Sequence, residues 1–251
     1  MSGGTLAIVL AVYLAAGVVK GALGFGMPLI AGAVLPQIVP LPLVLAINAV
    51  ILPITNTVQF ARAGATGAVL RRHWLVLAGL AVAVPLGAVM VARADPRWVG
   101  LLFGLFITLA AALSWAVPDW RIPDRAVGPT AFGTGLLGGL VAALTTAPGP
   151  VFVLYLVGRG VGRAERMGAL GLLLLAGGGL VAVSFLMVGI LNGPRILLAL
   201  VCLVPALAGM YVGDALAERI PARRLRALVL LALIVLGLRA TATAALDLLP
   251  D

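Results

Sequence analysis

The chain has 251 residues and a mass of 25.5 kDa, with 63% hydrophobic residues, 10% charged residues and a mean hydropathy of +1.22. A soluble domain of this length needs far more polar side chains to cover its surface, so a soluble enzyme or binding module is excluded. The 17 Lys and Arg against 8 Asp and Glu give a formal net charge of +9, but the arginines fall between apolar runs, where they set topology and meet anionic lipid headgroups, so the bilayer and not a nucleic acid is the expected partner.

Apolar segments run over 5–23, 27–36, 41–61, 74–92, 98–117, 131–145, 150–157, 167–190, 196–213 and 225–245. Most match the roughly 20 residues that span a bilayer as a helix. The segments 27–36 and 150–157 are too short, and each follows a break: Gly24-Phe25-Gly26-Met27-Pro28 and Thr145-Thr146-Ala147-Pro148-Gly149-Pro150. The predicted fold is therefore an all-α polytopic membrane protein of two halves, 1–125 and 126–251, each a broken helical hairpin followed by three transmembrane helices. An offset of 122 overlays them, matching Gly17 with Gly139, Pro28 with Pro150 and Gly87 with Gly209. The N-terminus lacks a basic region ahead of its apolar stretch and reads as a retained first helix.

Positive charge sets the orientation. If 131–157 returns to its starting side, the connectors 62–73, 118–129, 158–166 and 214–226 share one face and carry 12 of the 16 arginines. If each broken segment were a single crossing, the arginines would divide 7 against 9. The positive-inside rule favours hairpins, which places both termini outside the cytoplasm and makes the halves inverted-topology repeats, an arrangement common among secondary transporters.

Chemistry-bearing residues are few. One His (His73) and one Cys (Cys202) exclude a His/Cys metal cluster, and no cofactor motif or nucleophile signature is present. Gly158, Gly160 and Gly162 fall short of a dinucleotide fingerprint and read as a connector, while His73 reads as an interfacial residue at a helix start. The breaks are the sharper signal, because freed backbone N–H groups at membrane depth must line a cavity or be buried in protein. Those groups, with the positive ends of the short helices, suit an anion. Gly24, Phe25, Gly26, Pro28, Thr145, Thr146, Pro148, Gly149 and Pro150 are accordingly candidate binding residues, the two threonines as hydroxyl donors. Gly17-x-x-x-Gly21 and Gly135-x-x-x-Gly139 read as helix-packing positions.

Lys20, the only lysine, lies about fifteen residues into the first helix, roughly 22 Å deep in a core of about 30 Å. It either snorkels to the headgroups or serves as counter-charge to an anion. Asn48, Thr55 and Gln59 recur along one face of the third segment, with Asn56 adjacent and Pro53 between, a stripe that faces other helices or a substrate path. All eight acids, Asp95, Asp119, Asp124, Glu165, Asp214, Glu218, Asp247 and Asp251, fall in connectors or at segment ends. None is placed as a midplane relay for protons or sodium, so uncoupled movement of an anion is the expected energetics.

The run Gly17-Val-Val-Lys-Gly-Ala-Leu-Gly-Phe-Gly-Met-Pro28, its partner from Gly135-Leu-Leu-Gly-Gly-Leu through Ala147-Pro-Gly-Pro-Val-Phe-Val-Leu-Tyr155, and the halves around them resemble the sulfite exporter TauE/SafE family of bacterial inner-membrane permeases. The resemblance covers roughly residues 5–245. It implies a small anionic substrate such as sulfite, a sulfonate or sulfoacetate, and a multi-pass protein of the bacterial inner membrane. The second break, Thr145-Thr-Ala-Pro-Gly-Pro150, departs from a Gly-Gly-Gly-Pro-like pattern, which leaves the choice of anion open. A non-transporting membrane subunit or assembly factor is the alternative function, a lipid-acting enzyme lacks the residues for it, and a homo-oligomer is left open.

Overall fold

The computed structural model describes residues 1–62, 67–115 and 121–217, and beyond these 231, 234–235, 237–239, 241–243 and 245. Most of the expected segment 225–245, with Arg219, Arg223, Arg224, Arg226, Asp119, Glu218, Asp247 and Asp251, lies outside the described residues. Ten α-helices follow in order: α1 (Gly3–Leu23), α2 (Met27–Val34), α3 (Leu41–Arg62), α4 (Gly67–Arg72), α5 (Trp74–Arg93), α6 (Pro96–Trp115), α7 (Val127–Thr145), α8 (Gly149–Gly158), α9 (Arg163–Met187) and α10 (Gly193–Ala217), with no strand among the described residues. Six of the helical segments are long and apolar enough to cross a membrane.

Local chemistry sets the ends of these helices. Ser2 caps α1 by accepting from the Thr5 N–H at 3.2 Å. Gly24, left-handed at φ 80°, ends that helix with its N–H on the Lys20 carbonyl. Pro28 and Pro150 occupy the first turns of α2 and α8, where a missing N–H costs nothing. Three boundaries differ from expectation. Helix α7 begins at Val127, because Pro129 is tolerated in a first turn. Helix α9 starts at Arg163 with Glu165 favourably placed near its positive end, and stops at Met187 where Gly189 turns left-handed. The connector 62–73 contains the short helix α4.

The largest helix interfaces join α1 to α10 and α5 to α7. Both depend on glycine: a Cβ on Gly209 would lie 3.0 Å from the Val18 nitrogen, and one on Gly139 would lie 2.7 Å from the Ala83 Cβ. Gly17 and Gly21 sit in the first interface, Gly87 and Gly135 in the second. The packing role expected of the two small-residue motifs is thus observed, with backbones brought close enough for direct contact. Large apolar side chains also point outward, among them Leu197, Val201 and Val204 along one stripe of α10. In water such a stripe would be a liability; against lipid it is the expected surface.

Contacts gather several connectors at one end of the bundle. The Ile122 N–H donates to the Gly158 carbonyl at 2.9 Å, so the α7–α8 pair leaves and returns to the same end. Arg72 pairs with Glu165 at 2.8 Å, and Arg62 with Asp214, at that end also. Helix α2 likewise folds back on α1, burying Leu35 and Val39 in one cluster with Val9 and Tyr13.

Candidate substrate site

The two breaks meet at the centre of the bundle: a Cβ built on Gly149 would lie 3.4 Å from the Phe25 side chain. Between them is a small cavity lined by Lys20, Phe25, Gly26, Pro28, Asn56, Thr146, Pro148, Gly149 and Pro150, with Leu29, Leu52, Leu174 and Val181 among its apolar walls. Eight of the residues singled out from the sequence thus share one cavity. Gly24 and Gln59 line a neighbouring cavity that also reaches Lys20. Asn48, Thr55 and Thr145 line neither; they are buried behind the wall.

Lys20 does not snorkel. Its residue is 3% exposed, and the ammonium donates to the Asn56 Oδ1, whose own Nδ2 donates to the Leu174 carbonyl at 2.9 Å. No ion pair joins Lys20 to a carboxylate among the described residues. An ammonium has three donors, and among the described residues only one is used, on the wall of both cavities. Asn56, noted beside the polar stripe of the third segment, is not among the candidate binding residues read from the sequence. It lies roughly 80° around the helix from the Asn48–Thr55–Gln59 stripe, and no spacing in the sequence singles it out as the partner of Lys20.

The second break is held by a chain of polar groups. Tyr13 Oη donates to Asn48 Oδ1 at 2.9 Å, Asn48 Nδ2 donates to Thr146 Oγ1 at 2.9 Å, and that hydroxyl donates to the Thr145 carbonyl at 2.6 Å. Thr146 is left-handed at φ 57°, which is strained for a β-branched residue by about 1–3 kcal/mol. The chain of hydrogen bonds from α1 through α3 holds it there. Thr145 donates its hydroxyl to the Val141 carbonyl at 2.8 Å and accepts from the Ala147 N–H at 3.1 Å. The hydroxyl hydrogens expected to meet an anion are therefore spent on backbone, and Asn48 acts as a support. Thr55 likewise turns to the Leu52 carbonyl at 3.2 Å. Open donors at the breaks are instead the backbone N–H groups of Gly26, Leu29 and Gly149, none of which bonds another backbone group among the described residues.

The breaks correspond closely. Gly24 and Thr146, 122 residues apart, are both left-handed helix ends. Met27 and Gly149, at the same offset, both start the short helices that follow.

A scan against protein-family models matches the sulfite exporter TauE/SafE description over residues 9–240. The chain belongs to the TauE/SafE family. No curated protein and no solved structure gives a match. Membership makes this a multi-pass membrane transporter, in agreement with the apolar spans, and places the buried cation and paired breaks of this TauE/SafE protein in a transport setting.

His73 lies apart from both cavities, at the start of α5 as expected, and is covered by protein, at 0% exposure with its ring edge-on to Tyr155. Neither ring nitrogen has a partner. Burial lowers its pKa below the ordinary 6.5, Glu165 opposes that shift, and Arg159 and Arg72 add to it. Well above pH 6.5 the ring is neutral in both folded and unfolded chains and adds no pH dependence to stability. As pH falls below 6.5 the unfolded chain takes a proton that the folded chain resists, so stability drops by up to about 1.4 kcal/mol per pH unit. The melting temperature should fall between pH 7 and 5.5 in the wild type and be flatter in His73→Phe; parallel curves would show that His73 protonates freely in place.

Proposed function

We propose that this chain is a permease for small organic or sulfur-containing anions of the sulfite, sulfonate or sulfoacetate type, held between the two breaks and exported down the electrochemical gradient across a bacterial inner membrane. The observation that carries this reading is Lys20: a buried ammonium with unmet donors and no ion-paired carboxylate, on the wall of a cavity that both breaks line. Such a charge is costly to bury and is offset when an anion arrives. The N–H groups of Gly26, Leu29 and Gly149 supply further donors for sulfonate or carboxylate oxygens. Leu29, Leu52, Leu174 and Val181 favour an anion carrying a short carbon chain over a bare oxyanion.

The two halves, 1–125 and 126–251, work in this reading as inverted repeats. Support comes from the shared offset of the left-handed helix ends and short-helix starts, from the return of α7–α8 to its own end, and from the arginine distribution. The test is the melting temperature of the purified protein in detergent, titrated with sulfite, a short alkanesulfonate and chloride at matched ionic strength. A ligand at 100 times its Kd adds about 2.7 kcal/mol. Stabilisation by the sulfonate or sulfite but not by chloride is expected; equal response to all three salts would refute a built anion site.

A further inference from the structure

A second cavity of about 830 Å³ opens toward the arginine-rich end and meets the central one at Lys20, which lines both. Gln59 and Arg62, one turn apart on α3, face into it, and Asp214 on α10 stands opposite. We propose that this vestibule is a second anion site, in which an incoming oxyanion displaces Asp214 from Arg62, is held by Arg62 and Gln59, and passes from there to Lys20.

Three observations carry the inference. The Gln59 Nε2 is buried and has no hydrogen-bond partner among the described residues, an unmet donor that a folded protein leaves open only at a cost. It lies at the mouth of the first break, 3.6 Å from where a Gly24 Cβ would be. Second, Arg62 is ion-paired through Nη1 alone, while the pair remains open to solvent at 44% and 38% side-chain exposure. A guanidinium has five N–H donors in a fork that fits an oxyanion bidentately, so most of its capacity is free. Third, the cavity holds two cations, Lys20 and Arg62, against the single carboxylate of Asp214. That leaves a surplus positive charge for an anion.

Asp214 is thus an internal stand-in for the ligand. An exposed ion pair is weakly held and its exchange for a sulfonate replaces one acceptor by another at the same donor. The exchange breaks the one ion pair between α3 and α10 among the described residues, while the Arg62 guanidinium keeps its place over the Tyr211 ring on α10, 4.7 Å from the ring centre. The inference rests on the central cavity being the anion's site.

Separate measurement from the two faces tests it. Proteoliposomes are oriented by impermeant thiol labelling of R125C, at an exposed position, the native Cys202 being buried. Initial rates are taken with a labelled short alkanesulfonate offered to either face. Arg62→Gln and Gln59→Leu should each raise KM at least tenfold from the Arg62 face and leave KM from the other face unchanged. Asp214→Asn should do the opposite and lower KM from the Arg62 face, because the competitor for Arg62 is gone. A structural ion pair predicts that R62Q and D214N change KM in the same direction, and that outcome overturns the vestibular site, as do changes equal from both faces or no change at all. Absence of saturable anion flux in the wild type from either face would instead remove the central site, and the vestibule with it.

Discussion

Replacing Lys20 with methionine is expected to abolish anion-dependent stabilisation and saturable transport while leaving the ligand-free protein more stable than the wild type. The two effects have one cause. Methionine nearly keeps the volume and the unbranched shape of lysine, so the packing of α1 on α10 persists, but it removes an ammonium that is buried without a carboxylate. Burying such a charge costs several kcal/mol even after relaxation. Losing it offsets the one donor that Asn56 Oδ1 gives up. A gain of about 1 kcal/mol would raise the melting temperature by about 2–4 °C in a protein of this size. With ligand present the sign reverses, since truncating one member of a desolvated charge pair costs about 2–5 kcal/mol, or roughly 30- to 5,000-fold in affinity. Opposite signs for the free and bound protein separate loss of a counter-charge from simple misfolding, which would lower both. An anion affinity within threefold of the wild type in Lys20→Met would remove Lys20 from the site.

Much of this arrangement is legible in the chain before any fold is known, because the bilayer leaves few solutions. Apolar runs near twenty residues give the spans, and a run of eight or ten after a Gly/Pro cluster can be neither a span nor a soluble loop. The breaks and the glycine interfaces follow from those constraints, whereas Lys20 stays open between the headgroups and the interior until its burial is seen. What is not legible is which polar groups turn toward the cavity. Thr145, Thr146 and Thr55 carry hydroxyls that the nearest backbone carbonyl captures, a local competition that spacing does not reveal. The Tyr13–Asn48–Thr146 chain joins positions far apart in sequence, and the choice of Asn56 as partner of Lys20 depends on the rotation of α3 about its axis. Composition also concealed the burial of His73, since a histidine between Arg72 and Trp74 reads as a headgroup residue until Tyr155 of the returning helix α8 covers it.

Transport is expected to follow the membrane potential and to ignore an imposed pH gradient. The described carboxylates all stand at helix ends or in connectors: Asp95 before α6, Asp124 before α7, Glu165 in the first turn of α9 and Asp214 in the last turn of α10. Glu165 and Asp214 pair with Arg72 and Arg62 at the arginine-rich end. Among the described residues neither an acid nor His73 lines the central cavity; its one titratable group is Lys20, which in this reading keeps its proton as counter-charge while the anion moves. The charge carried per cycle is then the anion's own. A potential negative inside contributes about 2.3 kcal/mol per charge per 100 mV, so roughly 150 mV sustains roughly 300-fold more monovalent sulfonate outside than inside, and far more of a divalent anion. Export needs no coupling ion under that force, whereas concentrative uptake would. Proteoliposomes loaded with labelled alkanesulfonate, whose charge does not change near neutral pH, should release it quickly under a potassium-diffusion potential negative inside and slowly when the sign is reversed. A pH gradient at zero potential should leave the rate unchanged. If release instead tracks the pH gradient with the potential clamped, a proton travels with the anion, and the carrier must be sought at Lys20 itself or at Asp214, the one described acid whose cavity adjoins it.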